Sequence, residues 1–309
     1  MRPAGPTVAV LGPGGVGGLV GALLARAGHR VVFLARPDSV EALREHGLTV
    51  HSGIYGDFTV PAEAATELTE PVQACLVTVK ATALEPALAS VPPDALGDGL
   101  VVPLLNGVEH LALLRGRYRA EQVVAGAIRV ESTRVGPGRI EHASPFAVIE
   151  LASRTAPAER VELLAGWLTR AGLEVAVRDD ETGMLWDKLA FLAPFALLTT
   201  QAGAPVGAVR SERREEAAAV VGEVARVARA AGATVEAGAI VRFLDGLPEG
   251  MKSSMQRDAE AGRAMELDAI GGAVLRTAER HGIAVPLTEA LVAELRARAD
   301  GPAPTCRSS

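Results

Sequence analysis

Two hydrophobic periodicities divide this chain. Residues 8–11 form a short apolar run that is followed at once by glycines. Over residues 16–27 small apolar residues recur as in a helix, and Gly28 supplies a stop. Residues 30–35 form a second buried run, so the pattern predicts strand–turn–helix–strand, the start of a parallel sheet. Runs at 74–79, 100–105 and 123–128 predict further buried strands, with a helical stretch bounded by Pro86 and Pro92 between the first two. The segment 48–60, rich in glycine and β-formers, predicts a small excursion or hairpin. After about residue 180 the strand-like runs stop, and apolar residues recur at three- and four-residue spacing. Helices are predicted over 182–200, 213–231, 255–280 and 287–299, the last opened by Pro286. The expected architecture is α/β. A doubly wound Rossmann-type N-terminal domain (1–179) is followed by an all-helical domain (180–299) and a Pro/Ser-rich tail (300–309) expected to be disordered.

Length and composition agree with two soluble domains: 309 residues, 49% hydrophobic and 22% charged. The net charge of -6 argues against a non-specific binder of nucleic acid or anionic membrane, while leaving room for one or two cations that grip an anionic cofactor. Of the two cysteines, Cys75 lies in an apolar run and Cys306 in the tail, with neither metal-ligand spacing nor a disulfide framework. The longest near-continuous apolar run, 189–198, is too short for a bilayer and contains Pro194. A cytoplasmic protein is expected, with no targeting segment, membrane span or metal. The sequence is compatible with a homodimer.

The turn after the first strand reads Gly12-Pro13-Gly14-Gly15-Val16-Gly17, a G-x-G-x-x-G pattern between a strand and a helix. Gly12 permits the tight turn, Gly14 lets backbone approach a pyrophosphate, and Gly17 lets helix and strand pack closely. The helix N-terminus then offers free N–H groups to phosphate. The second strand ends in Arg36 rather than in the acid that usually holds an NAD ribose. A guanidinium can fork onto a 2′-phosphate, so NADP is preferred, and Asp38 two residues on keeps NAD open.

Two further strand ends carry polar residues at the edge where open α/β sheets bind ligands: Lys80 and Asn106. In the helical half, Lys188 sits in an apolar helix, and Ser254 and Glu266 follow in polar segments. Chemistry alone makes Lys188 and Glu266 candidate acid/base groups, with an ordinary salt-bridged pair as the competing account.

Taken in order, these segments resemble the ketopantoate reductase (2-dehydropantoate 2-reductase) family. The marks are the glycine turn, Val77-Thr78-Val79-Lys80, Asn106-Gly107, Leu185-Trp186-Asp187-Lys188-Leu189, Ser253-Ser254-Met255, Glu266-Leu267-Asp268 and the run 281–286. The resemblance implies NADPH-dependent reduction of a 2-keto acid to a 2-hydroxy acid. It also implies roles: Lys188 as proton donor, Lys80 and Asn106 near the nicotinamide ribose and substrate, and Ser254 as a substrate-binding hydroxyl. Glu266 would lie near the ribose and reacting oxygen, and Ser132 would touch the cofactor. A cation beside the carbonyl oxygen would stabilise the alkoxide that hydride addition creates.

The chain departs from the family's pattern at the substrate. Where the family carries asparagines, Leu192, Ala196 and Val206 stand here, and Met251 occupies a fourth polar position. Lys188, Leu192 and Ala196 follow one another at i, i+4, i+8 on one helical face. An altered, more apolar pocket for a small carbonyl substrate is therefore expected. The alternatives are an ordinary ketopantoate reductase and a non-catalytic NADP-binding sensor or scaffold.

Overall fold

The computed structural model describes residues 6–300. The described residues form two compact units: one runs to residue 105 and resumes over 109–184, and the other joins 106–108 to residues 185–300.

The first unit begins β1 (Thr7–Leu11), α1 (Gly15–Arg26), β2 (Arg30–Leu34), α2 (Pro37–His46), β3 (Leu48–Ser52), β4 (Phe58–Val60), β5 (Glu63–Ala65) and β6 (Ala74–Val77). It continues with α3 (Leu84–Ala87), α4 (Pro93–Leu96), β7 (Leu100–Pro103), α5 (His110–Arg117), β8 (Ala125–Arg129), β9 (Ser132–Gly136) and β10 (Arg139–His142). β11 (Val148–Ala152), α6 (Ala158–Arg170) and β12 (Glu174–Arg178) close it. Five strands pair in parallel in the order β5-β2-β1-β6-β7. The chain runs outward from β1 to β2 and then returns to its other side as β6, so the order reverses at β1, where such sheets open a crevice. The predicted strands at 8–11, 30–35, 74–79, 100–105 and 123–128 are all present, within a few residues at their ends.

The 48–60 excursion is an antiparallel hairpin, and it belongs to a second sheet of order β4-β3-β10-β9. A third sheet, β12-β11-β8, was not visible in the sequence pattern, because β12 is largely exposed and lacks a clean apolar run. Glu150 of β11 rivets this sheet by pairing with Arg129 of β8 and, at 2.6 Å, with Arg178 of β12. Burial alone would raise this carboxyl, but the two guanidiniums outweigh it and hold the group below its ordinary range.

α1 is pressed between two sheets. On one side, an added Cβ at Gly21 would lie 2.3 Å from Phe33 of β2, and one at Gly17 would lie 2.5 Å from the Gly12 carbonyl. On the other side, a Cβ at Gly15 would lie 2.1 Å from the Ser132 carbonyl of β9, and one at Gly18 would lie 2.5 Å from Ile140 of β10. The larger residues Leu19, Val20, Leu23 and Leu24 fill the core between these contacts.

The second unit holds most of α7 (Glu181–Ala202), then α8 (Val206–Glu212), α9 (Arg214–Ala230), α10 (Ala237–Gly246), α11 (Ser254–Glu260), α12 (Ala273–Arg280) and α13 (Pro286–Asp300). α7 keeps Pro194 inside it and is buried along most of its length. Among the described residues no single helix is long and apolar enough to cross a membrane. The expectation of one helix over 255–280 is corrected. α11 stops at Gly262, whose φ of +63° suits glycine, while the Arg263 N–H bonds back to the Asp258 carbonyl at 2.8 Å. The chain resumes as a π turn, Asp268–Gly272, that leads into α12. The 301–309 part of the proposed tail, with Cys306, lies outside the described residues.

Glu223 of α9 caps α13 from a distance in sequence. Its carboxylate accepts hydrogen bonds from the N–H of Leu287 (3.1 Å), the N–H of Thr288 (2.9 Å) and the Thr288 hydroxyl (2.8 Å). All this happens at a buried site, where unpartnered N–H groups are costly. Glu223→Ala is expected to destabilise the helical unit by at least roughly 1.5–3 kcal/mol, the value of a hydrogen bond to a charged group. Urea unfolding followed by far-UV circular dichroism measures this, and an unchanged midpoint would contradict it.

Candidate functional site

The glycine turn is built as its spacing predicts. Gly12 has a φ of +89°, the left-handed region that a side chain rarely tolerates, and a Cβ there would strike Val79 at 2.5 Å. Its N–H bonds the Leu34 carbonyl of β2 at 3.0 Å, and the Gly14 N–H bonds back to the Gly12 carbonyl at 2.7 Å. Pro13 and Gly14 carry the chain to α1. A Cβ on Gly14 would meet nothing nearer than 4.0 Å, so this backbone faces open space. The first turn of α1 contains no acid, and no side chain caps it. The N–H groups of Gly15, Val16 and Gly17 therefore form a positive helix end with no side chain competing for it.

Thr78, just past β6, was not singled out in the sequence. Its hydroxyl lies 3.0 Å from the Leu11 carbonyl and 2.8 Å from that of Gly12, which ties the end of β6 to the glycine turn. The Ser132 hydroxyl donates to the Gly15 carbonyl at 2.8 Å, which places Ser132 beside the same turn. Arg36 is exposed, follows β2 and is the N-cap residue of α2. Lys80 is exposed and stands three residues beyond β6, at the same sheet edge as Gly12. Cys75, on β6, is sealed in the core. Burial pushes its thiol up to about 12, so it is no nucleophile.

In the helical unit, Asn106 and Glu266 meet across 160 residues: the Asn106 amide donates to the Glu266 carboxylate at 2.9 Å. Gly107 makes the approach feasible. Its φ is +89°, and a Cβ would lie 2.5 Å from the Ala269 carbonyl in the π turn. Glu266 is 8% exposed and Lys188, on α7, is 9% exposed, so both ionisable groups are largely withdrawn from water.

Two adjacent serines separate into different tasks. Ser253 is buried and caps α11 by accepting from the Gln256 N–H at 3.1 Å and from the Thr199 hydroxyl at 2.9 Å. Ser254 opens the helix and is exposed. The partner Thr199 on α7 could be found only in three dimensions.

The three apolar positions expected at the substrate pocket also separate. Leu192 is buried to the same degree as Lys188, one turn away. Ala196 has no exposed surface and is part of the helical core. Val206 opens α8 and lines an apolar cavity with Phe195 and Leu198. A continuous apolar strip of Leu192 and Ala196 open to a ligand is thus not what the fold presents: Leu192 keeps only 9% of its surface exposed and Ala196 none. Among the described residues no cluster of three or more His, Cys, Asp or Glu is placed to hold a metal ion.

Comparison with known proteins identifies the family. Residues 8–153 match the family described as Ketopantoate reductase PanE/ApbA, and residues 181–299 match its C-terminal family. An uncharacterized oxidoreductase, YkpB of Bacillus subtilis (strain 168), is 30% identical over 93% of this chain and 97% of its own length. A 2-dehydropantoate 2-reductase of Mycobacterium tuberculosis (strain CDC 1551 / Oshkosh) is 31% identical over 96% of this chain and 98% of its own. A crystal structure of a PanE/ApbA family ketopantoate reductase from Ralstonia eutropha JMP134 superposes with a TM-score of 0.86 at 30% identity, covering 95% of this chain and 98% of that one. With both domains matched in order and the fold shared throughout, this chain belongs to the ketopantoate reductase family of oxidoreductases.

Proposed function

We propose that the chain is an NADPH-dependent reductase that turns a 2-keto acid into a 2-hydroxy acid, with an acyl pocket more apolar than the asparagine-lined one of the family. The observation that carries this reading is the Asn106–Glu266 hydrogen bond, which holds an amide and a largely buried carboxylate together in the unit that also withdraws Lys188 from water. A protein that only bound a nucleotide would have no use for that constellation.

NADPH fits the residues present. The uncapped, acid-free N-terminus of α1 suits a pyrophosphate, and the space before Gly14 admits its approach. Arg36, exposed just after β2, is available to a 2′-phosphate, and Ser132 beside the glycine turn and Lys80 beyond β6 are available to the rest of the cofactor. Bound NADPH would supply the hydride. Lys188 donates the proton to the carbonyl oxygen, and its positive charge stabilises the developing alkoxide. Glu266 orients the Asn106 amide through their hydrogen bond and accepts from hydroxyls on the ribose or product. Ser254, exposed at the start of α11, offers a hydroxyl to the substrate. Leu192, beside Lys188, leaves the substrate's side chain next to hydrocarbon where an amide would favour a polar hydroxyl.

A second reading, ordinary 2-dehydropantoate 2-reductase, is favoured by the name of the Mycobacterium tuberculosis relative. Ketopantoate itself separates the two: efficient turnover by the unaltered protein would support the second reading and defeat the altered pocket.

Three outcomes are expected. NADPH is preferred over NADH, and Arg36→Ala weakens NADPH about tenfold or more while NADH changes little, as titrations of both cofactors would record; equal use by the unaltered protein would contradict this. Lys188→Ala lowers kcat by roughly 10²–10⁴ with NADPH binding retained, and a near-normal kcat would remove the lysine from the mechanism. Leu192→Asn raises kcat/KM for ketopantoate relative to an apolar 2-keto acid, whereas Ala196→Asn mainly lowers the melting temperature, because an amide there is buried without room or partners.

A further inference from the structure

Glu266 is the last residue before a helix that starts irregularly. Its carbonyl accepts from the Ile270 N–H at 3.0 Å, an α-type step, but the Ala273 N–H then reaches back five residues to the Asp268 carbonyl. The π turn thus takes up one residue more than an α turn would. Its middle is wedged in place. A Cβ on Gly271 would lie 2.5 Å from Val292 of α13, and the Ala269 carbonyl is where Gly107 makes its close approach.

One ion pair fits only this register. Arg276 of α12 donates from Nη1 to Asp268 Oδ1 at 2.8 Å, and from Nη2 to Oδ2 and to the Asp268 carbonyl, each at 3.1 Å. The carbonyl it grips is the one that accepts the π bond. In an unbroken α-helix, residues eight apart point about 80° away from each other. With one residue absorbed by the π turn the offset falls to about 20°, so Arg276 lies two turns beyond Asp268 on the same side. Its long side chain leans toward the N-terminus and covers the gap. Gly272 lies beneath the pair: a Cβ there would strike Asp268 Oδ1 at 2.5 Å and crowd Arg276 Nη1 at 3.0 Å. Hydrogen bonds from the guanidinium hold the Asp268 carboxyl below its ordinary range, so it stays charged at neutral pH.

What the register controls is the direction of Glu266. α12 is anchored by Ala273, Val274, Thr277 and Ala278, all buried. If the turn reverted to α geometry, everything before it would swing by about 100° around the helix axis relative to that anchor. Glu266 would then leave Asn106, its hydrogen-bond partner at 2.9 Å. Arg276 and Asp268 keep 42% and 69% of their side-chain surface exposed, and exposed pairs add little to global stability. Their effect is local, on the choice between two registers.

We propose that Arg276, acting through Asp268, is a positioning residue that locks the π register and so keeps Glu266 on Asn106. Its consequence for turnover rests on the reductase reading above.

The test is a cycle of four proteins: the unaltered chain, Arg276→Ala, Glu266→Ala and the double variant. Each is assayed by initial-rate NADPH oxidation with ketopantoate and with 4-methyl-2-oxopentanoate. Arg276→Ala is expected to lower kcat about tenfold while the melting temperature shifts by no more than about 2 °C. Arg276→Lys, which keeps the charge but not the fork, is expected to fall between. In the Glu266→Ala background, adding Arg276→Ala is expected to change kcat by less than about twofold, because the residue it positions is gone. A near-normal kcat in Arg276→Ala, or the same loss in both backgrounds, would overturn the proposal. If no carbonyl compound is turned over by the unaltered protein, the reductase reading fails instead, and the Asn106 side-chain amide signals in heteronuclear NMR decide the positioning. Signals that Arg276→Ala moves toward their place in Glu266→Ala support it, and signals that Arg276→Ala leaves unmoved overturn it.

Discussion

The nucleotide-binding half depends on how closely α1 can approach two sheets at once. Gly17 and Gly21 let it settle on the five-stranded sheet, and Gly15 and Gly18 let the second sheet close over its other side. Any side chain at these positions would meet backbone or a packed side chain at well under van der Waals distance. This double contact directs the helix N-terminus at the edge where Gly12, Thr78 and Ser132 gather. The anion-binding character of that edge thus follows from packing. Backbone N–H groups become available because small residues allow the helix to sit where they point outward.

The helical half obeys a different constraint. Its core is almost wholly apolar, so each polar group inside it needs a partner. Glu223 satisfies the start of α13, Ser253 and Thr199 satisfy each other and the start of α11, and Asn106 satisfies Glu266. The last pair brings a three-residue loop from the end of β7 into the helical unit, where Gly107 lets backbone meet backbone at the π turn. Such π turns interrupt regular hydrogen bonding, and this one begins two residues after Glu266.

Much of this was legible in the sequence, for a local reason. Strand runs, the glycine turn, Pro286 as a helix start and the change of period near residue 180 depend on neighbours within a few residues, and they survive folding unchanged. The break at Gly262 was missed, because the apolar periodicity on both sides of it masked the stop and suggested one long helix. The strands β9 and β12 were not legible, because exposed edge strands carry no buried apolar run.

The site divides in the same way. The sequence by itself determined the residue types and their order: a glycine turn, an arginine after β2, a lysine in an apolar helix, and carboxylate and serine segments beyond it. Only the tertiary structure decided which of them act on one another. It joined Asn106 to Glu266, assigned Ser253 to the cap and left Ser254 exposed, sealed Ala196 in the core, and turned Val206 toward a cavity that Phe195 and Val241 share. Helical spacing puts 188, 192 and 196 on one side of α7, but how deeply each is covered depends on which helices pack there. Spacing along a chain is a local property, whereas burial and contact between distant residues are set by the packing of whole elements.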